Sequence, residues 1–505
     1  MEIFPSRREF ERLSRKGNVV PVYGELLADM ETPVSAFLKL DDGRFSYLLE
    51  SVEGSEKVAR FSFIGTSPRL VFSSTGRHVE ISETGRNGRI SVKRFETKTD
   101  PLREIEKLMR RFRAVALADL PRFCGGLVGY LGYDVVRFIE PVPEPADPDL
   151  ALPDTLLMLS DTMAIFDHAR HRLLLVANAI IDKQSPRAAY AQATERIRAM
   201  AAQLRKPLPK PRPSRKRAPV KPVSSNVTRD EFVRRVKRAK TYIRDGDIIQ
   251  VVLSQRFQRP FDKDPIDLYR VLRSLNPSPY MFLLRLGGLA LVGSSPEMLV
   301  RCEDGKLETR PIAGTRPRGR DSREEERLVQ QLRTSIKERA EHLMLVDLGR
   351  NDLGRVAQIG SVQTPELMVV EKYSHVLHLV SSVTARLKPG KNAYDVLRAA
   401  FPAGTVTGAP KVRAMEIIAE LERQGRGPYA GAVGYISFSG NTDTCITIRT
   451  ILLKDGQAYV QAGAGIVADS QPEREYEETL NKSRGMLLAI ERTEAGSLDK
   501  NEGLR

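Results

Sequence analysis

The sequence predicts an α+β fold built on antiparallel or mixed sheets. Three features carry that reading. Short apolar runs bounded by turn residues fill the first two hundred positions, and helical periods intermix with β-branched runs over the remainder. No strict strand–helix–strand alternation, the mark of a parallel sheet, is present. At 505 residues the chain exceeds what one hydrophobic core ordinarily supports, so one large two-part unit or two domains are expected.

Taken in order, residues 1–204 contain the runs VSAFLKL, YLLESV, RLVFSS and LLLVANAII, read together as a mostly antiparallel sheet with few helices. One long helix is predicted near 188–204. The stretch FCGGLVGYLGYDVVRF (123–138) lacks GxGxxG spacing, so its glycines are read as letting backbones pack closely rather than as a phosphate cradle. Residues 205–227 read as a basic, proline-rich linker. A second region, 228–495, opens with the capping-box spacing of Thr228 and Glu231, followed by Phe232, Val236, Ala239 and Ile243 at helical intervals. Strands are predicted at IIQVVLSQRF, YMFLLRL, LALVGSS, GAVGYISF, TCITIRTILL and QAYVQAGAGIV, and helices at 322–347, 391–400, 410–422 and 472–491. Residues 496–505 read as a tail.

Composition narrows the function. The formal charge is +16, and eight Lys or Arg residues with no acid lie between Arg205 and Lys221. That segment contains no aromatic residue, so it reads as a solvated linker rather than a nucleic-acid contact. Cys124, Cys302 and Cys445 are odd in number and far apart, which suits neither a disulfide framework nor a metal site and suggests a reducing, cytoplasmic setting. No apolar stretch suits a signal peptide or a membrane span.

Three constellations could carry chemistry. Glu338 and Glu341 are three apart on one predicted helix, as are Glu475 and Glu478 on another, where Lys482 continues the face. Four such acids could cage Mg²⁺, although by spacing alone Glu pairs on helices are mostly solvated surface. GTVTGAPK (404–411) and QAGAGIV (461–467) read as small-residue loops, either anion-facing or plain tight turns. His375 and His378 share a face if helical and oppose each other if in a strand.

Together these segments resemble the chorismate-utilising enzyme family over 228–495, through VGSSPEMLV, TRPIAGTRPRG, EHLMLVDLGRND, GTVTGAPKVRAMEII, QAGAGIVADS and EETLNKSRG in that order. The first half resembles it more thinly, through LLESVEG (48–54) and GGLVGYLGYD (125–134). The resemblance implies two packed antiparallel β-sheets flanked by helices, with the active site between the sheets. It implies Mg²⁺ held directly by Glu341 and Glu478, with Glu338 and Glu475 holding its waters. It further implies substrate contacts from Gly314, Thr315, Tyr429, Arg449 and the backbone of Gly463, Ala464 and Gly465. The catalytic residues it implies are Glu297 as general acid, His378 for pyruvate elimination, Lys482 and Thr405.

Within the family the chain is most similar to the anthranilate-forming branch, which opens tryptophan biosynthesis. Water-adding relatives carry a lysine base where this chain has Gln250, and aminodeoxychorismate-forming relatives commonly carry a nucleophilic lysine where it has Ala313. Amination at C2 by external ammonia is therefore expected, with the aminodeoxychorismate-forming branch as the alternative. The ammonia is expected from a separate glutamine amidotransferase subunit in a hetero-oligomer. The resemblance also implies an L-tryptophan feedback pocket lined by Glu50, Ser51, Pro279, Tyr280 and Met281. NPSPYM also fits a plain proline turn followed by a core strand.

Overall fold

The computed structural model describes residues 1–51, 60–85, 88–147, 149–182, 184–209, 221–373 and 376–496, and every side chain among them except that of Thr315. Residues 210–220 of the predicted linker, residues 497–505 of the predicted tail, residues 52–54 of LLESVEG, and His375 lie outside the described residues.

Two large sheets, one of 13 strands and one of 12, form the body, and all their strand pairs are antiparallel. The fold expected from the sequence is thus the fold observed. Each sheet has a seam at which the first half of the chain meets the second. In the larger sheet, Phe45–Glu50 pairs with Tyr280–Leu286; in the smaller, Gly126–Leu131 pairs with Ala432–Ser437. Along the smaller sheet's seam, a Cβ on Gly126 would fall 2.2 Å from the Ile436 carbonyl oxygen, which bears out the close-packing role read for that glycine-rich stretch.

Strand alternation explains why both faces are apolar. Along Arg172–Ile180, Leu174 and Val176 point into the core between the sheets, while Leu173, Leu175 and Ala177 point outward under helices. Along Tyr280–Leu286, Phe282 and Leu284 face inward and Met281 and Leu283 outward. The result is four layers, with helices outside each sheet and a shared core of residues such as Tyr47, Val128 and Tyr130 between them.

Five readings need correction. VSAFLKL is not a strand: Pro33–Leu40 is a helix, because Thr32 and Ser35 close a reciprocal capping box and Pro33 occupies the first turn. The predicted helix 322–347 is two helices, Ser322–Thr334 and Ile336–Gly354. Ser335 ends the first and caps the second, its hydroxyl accepting from the Glu338 N–H at 3.3 Å. TCITIRTILL is two strands in different sheets, Thr442–Ile446 in the smaller and Thr450–Lys454 in the larger. QAGAGIV is not a loop after a strand, since Gly463–Gly465 lie inside the Gln457–Ile466 strand. Thr228 caps its helix as the spacing predicts, but Glu231 turns to Arg235 instead of closing the box.

Candidate active site

The chain crosses between the sheets at two neighbouring points, and each crossing delivers a side chain into the gap. Leu289–Ser295 belongs to the larger sheet and Met298–Glu303 to the smaller, with Glu297 between them. Thr442–Ile446 and Thr450–Lys454 repeat the crossing in reverse, with Arg449 between them in the left-handed region at φ +51°. The two crossings are tied together: Ile446 N–H donates to Glu297 O at 3.0 Å, and Ser295 Oγ donates to Ile446 O at 2.6 Å.

A cavity of about 610 Å³ opens beside these crossings. Helix Ile336–Gly354 contributes Glu338 and Glu341 to its lining, and helix Pro472–Ala495 contributes Glu475, Glu478 and Lys482. Strand Ile312–Pro317 brings Gly314, strand Val376–Arg386 brings His378, and strand Gln457–Ile466 brings Gly463 and Gly465. Thr405 enters from the short turn Gly404–Val406, and Tyr429 and Gln250 complete the wall. At Ala464 the side chain plays no part in the lining, which leaves the implied backbone contact untouched. Ala464 points the other way, into a core cluster with Val251 and Leu253. Thr315 pairs with His378 across the sheet, and nothing further of its side chain is described.

Burial sets the chemistry of these groups. Glu297 is 7% exposed, and burial pushes its carboxyl up to about 8, against smaller opposing effects of the Thr405 hydroxyl and the Lys482 ammonium. It is therefore a carboxylic acid, not a carboxylate, at neutral pH. Burial also raises Glu341, and the charges of Glu338 and Glu478 raise it further. Glu475 is raised chiefly by burial, with Glu478 adding to the effect. Like charges thus face one another in pairs, Glu341 with Glu338 and with Glu478, and Glu475 with Glu478, which favours a cation beside them. Arg316 pairs with Glu338 at 2.9 Å and Lys482 with Glu478 at 2.6 Å. Among the described residues, no three His, Cys, Asp or Glu side chains gather closely enough to cage a metal by themselves.

The remaining groups suit an anionic ligand. Burial lowers the Arg449 pKa, as expected of a cation shielded from water. Its Nη1 donates to Lys482 O at 3.1 Å, and Lys482 Nζ in turn donates to Gly463 O at 3.1 Å. Pairing between Gln457–Ile466 and Thr450–Lys454 stops at Val460, so Gly463 and Gly465 lie on an edge that has lost one neighbour. A Cβ on Gly463 would fall 2.6 Å from the Tyr429 hydroxyl, so only glycine lets that ring reach the wall. His378 Nδ1 lies 3.1 Å from Gly314 O; a carbonyl only accepts, so Nδ1 carries the hydrogen and Nε2 is the basic nitrogen.

Two thirds of the chain and more, residues 67–488, match the chorismate binding enzyme family. The chain belongs to that family. It is 48% identical to anthranilate synthase component 1 of Acetivibrio thermocellus over 98% of this chain and 99% of that one. It is 50% identical to the protein of the same name from Aquifex aeolicus (strain VF5), over 97% and 98%. Among solved structures, anthranilate synthase component I from Streptococcus pneumoniae TIGR4 superposes with a TM-score of 0.75 at 35% identity, covering 92% of this chain and 99% of that one. The menaquinone-specific isochorismate synthase from Escherichia coli shares the fold, with a TM-score of 0.69 at 20% identity over 97% and 98%.

The seam divides the residues implied for feedback between the two faces of the larger sheet: Glu50 pairs with Met281 on the outward face, whereas Tyr280 points between the sheets. Glu50 is buried, accepting from the Tyr269 hydroxyl and paired with Arg273 at 3.2 Å. The Tyr280 hydroxyl donates to Asp443 at 2.9 Å, while Pro279 and Ser51 are half-buried beside them. Sequence reasoning missed Arg316, Lys337 and Gln461. The first two sit within or beside quoted motifs, and Gln461 opens QAGAGIV, but only the cavity reveals that Lys337 and Gln461 face it. No helix among the described residues is long and apolar enough to cross a membrane.

Proposed function

We propose that this chain adds ammonia to C2 of chorismate, expels the C4 hydroxyl as water and then eliminates pyruvate, yielding anthranilate, the entry to tryptophan biosynthesis. The observation carrying this reading is one cavity in which two glutamate pairs from distant helices meet a buried arginine and a buried, protonated Glu297. Similarity over nearly the whole chain to relatives named anthranilate synthase component 1 supports the product. Gln250 and Ala313 both line the cavity, and neither is a base or a nucleophile at neutral pH. The attacking nitrogen therefore comes from outside the chain.

Mg²⁺ is the proposed cofactor. Its donor set fits: hard carboxylate oxygens that repel one another, too few for a closed cage, suit an ion that keeps several of its own waters. Glu341 and Glu478 would hold it and Glu338 and Glu475 its waters; bound, it supplies Lewis-acid polarisation and a counter-charge to an anionic ring. Arg449 binds the enolpyruvyl carboxylate through parallel N–H donors. Lys482 adds positive charge near the ring carboxylate. Glu297, kept neutral by burial, hands its proton to the departing C4 oxygen with the Thr405 hydroxyl beside it. His378 Nε2 serves the second step, the loss of pyruvate.

Ammonia is assigned to a separate glutamine amidotransferase subunit. A glutaminase needs a thiolate, whereas burial pushes the Cys124 and Cys445 thiols up to about 12 and raises Cys302 as well. L-tryptophan is assigned to the Glu50–Met281 seam, where it would bias the enzyme toward a less active state.

The test is incubation of the chain with chorismate, Mg²⁺ and an ammonium salt. Anthranilate fluorescence with equimolar pyruvate is expected, together with inhibition by tryptophan. A product that retains the enolpyruvyl group, or aminodeoxychorismate, would overturn the reading.

A further inference from the structure

Behind the cavity lies a buried cation that touches the wall at Val252, Val406 and Tyr429. Arg426 is 3% exposed. Its Nε donates to Glu422 Oε2 at 2.8 Å and its Nη2 to Glu422 Oε1 at 2.7 Å, a bidentate pair within one buried turn. The same fork reaches two backbones: Nη1 donates to Val406 O at 2.7 Å, and Nη2 to Val252 O at 2.8 Å. Its guanidinium plane lies 4.8 Å from the Tyr133 ring centroid and 5.6 Å from that of Tyr429. Glu422 extends the unit, accepting from Ser254 N–H at 2.7 Å and Ser254 Oγ at 3.0 Å, and Ser254 Oγ accepts from Gln461 Nε2 at 2.9 Å.

Four of the residues so held, Val252, Val406, Tyr429 and Gln461, line the cavity, and Val406 is the neighbour of Thr405. They come from four separate stretches of chain, two of which are also joined directly, Val252 N–H donating to Thr407 O at 2.8 Å. A solitary buried ion pair is weak evidence for stability, because desolvation offsets most of its attraction. A pair that uses four of five guanidinium donors, two on Glu422 and two on the backbones of cavity-lining Val406 and Val252, has a different use. We propose that Arg426 is a positioning residue for the substrate cavity: its planar fork, anchored on Glu422 and on two backbone carbonyls, sets Tyr429 against Gly463. The fork, not the charge, is what the wall requires, so lysine cannot replace it.

This inference rests on the proposed function only in taking chorismate as substrate. The experiment follows chorismate consumption regardless of product, in the intact chain with Mg²⁺ and ammonium, for R426K, Y429F and the double variant. Folding is checked in parallel by circular dichroism and thermal melting. Expected is at least a tenfold loss of kcat/KM in R426K with a folded, cooperatively melting protein, and a double variant hardly worse than the poorer single one, since Arg426 acts through Tyr429. Wild-type kcat/KM in R426K, or losses that simply multiply in the double variant, would overturn the proposal. If R426K fails to fold, R426A refolded with methylguanidinium takes its place: regained turnover supports the proposal, and a regained fold without turnover refutes it. A wild-type product other than anthranilate would refute the reading in the preceding subsection and leave these ratios interpretable.

Discussion

The space between the sheets is filled at one end and open at the other, and the residues responsible differ in where they sit on their strands. At the filled end Tyr47, Val128, Met158, Ile165 and Leu174 occupy strand interiors, alternate inward, and are at most 1% exposed. At the open end, apart from His378 on its strand, the charged and acidic working side chains sit off the strands. Glu297 and Arg449 lie at crossings between sheets, Thr405 lies in a turn, and the glutamates come from helices leaning over the gap. Mid-strand positions give packing because the pleat dictates their direction. Positions between strands are freed from the pleat and can aim a polar group into the gap. The filled end is then a spacer that holds the open end at working width.

Changes at the open end are expected to remove turnover without unfolding. Glu341→Gln should give the largest effect, roughly 10³-fold in kcat/KM, about 4 kcal/mol of lost stabilisation, with an unchanged melting temperature. Normal magnesium-dependent activity in that variant would remove the metal assignment. Glu297→Gln comes next, at about 10²-fold or more. Its signature is pH. A carboxyl raised to about 8 makes the native state hold a proton that the unfolded chain releases. Stability is therefore undiminished below the ordinary carboxylate range and falls as pH climbs through about 8. The variant should melt higher than wild type at pH 8 but not at pH 4, and wild-type kcat/KM at constant free ammonia should drop above about pH 8. Melting curves that shift identically at both pH values would show that Glu297 is not a buried acid.

Changes at the filled end should do the opposite. Leu174→Ala is expected to cost about 2–5 kcal/mol of folding stability in denaturant titrations while leaving kcat near wild type. A fall in kcat in the still-folded protein would mean that the spacer is part of the site. The smallest effect is expected at the seam. Ser51→Phe should weaken tryptophan binding, measured calorimetrically, and relieve inhibition worth about 1–3 kcal/mol of coupling. Inhibition that persists unchanged would place the regulator elsewhere.

The two ends were also unequally legible in sequence. Strand interiors announce themselves through β-branched runs, and the LLLVANAII and YMFLLRL strands stand where the pattern puts them. Crossings do not. TCITIRTILL reads as one apolar run because nothing in its composition marks the change of sheet at Arg449, whose direction only the tertiary fold dictates. Ser335 hides for a related reason, since the helical period continues on both sides of the break. The site residues were legible through motif resemblance rather than through periodicity. Arg426 escaped both, because its role consists of contacts to backbone carbonyls that carry no side-chain signature.

The paired seams also bear on how the molecule could be taken apart. The strands Phe45–Glu50 and Tyr280–Leu286, like Gly126–Leu131 and Ala432–Ser437, join opposite halves of the chain through rows of interstrand bonds. A polypeptide severed between residues 209 and 221 would yield two pieces, each with a naked rim on both sheets, ready to stick to copies of itself. Mixed during refolding, the pieces present each other with the matching rims. The two halves are joined by these strand edges and by the core they share between the sheets.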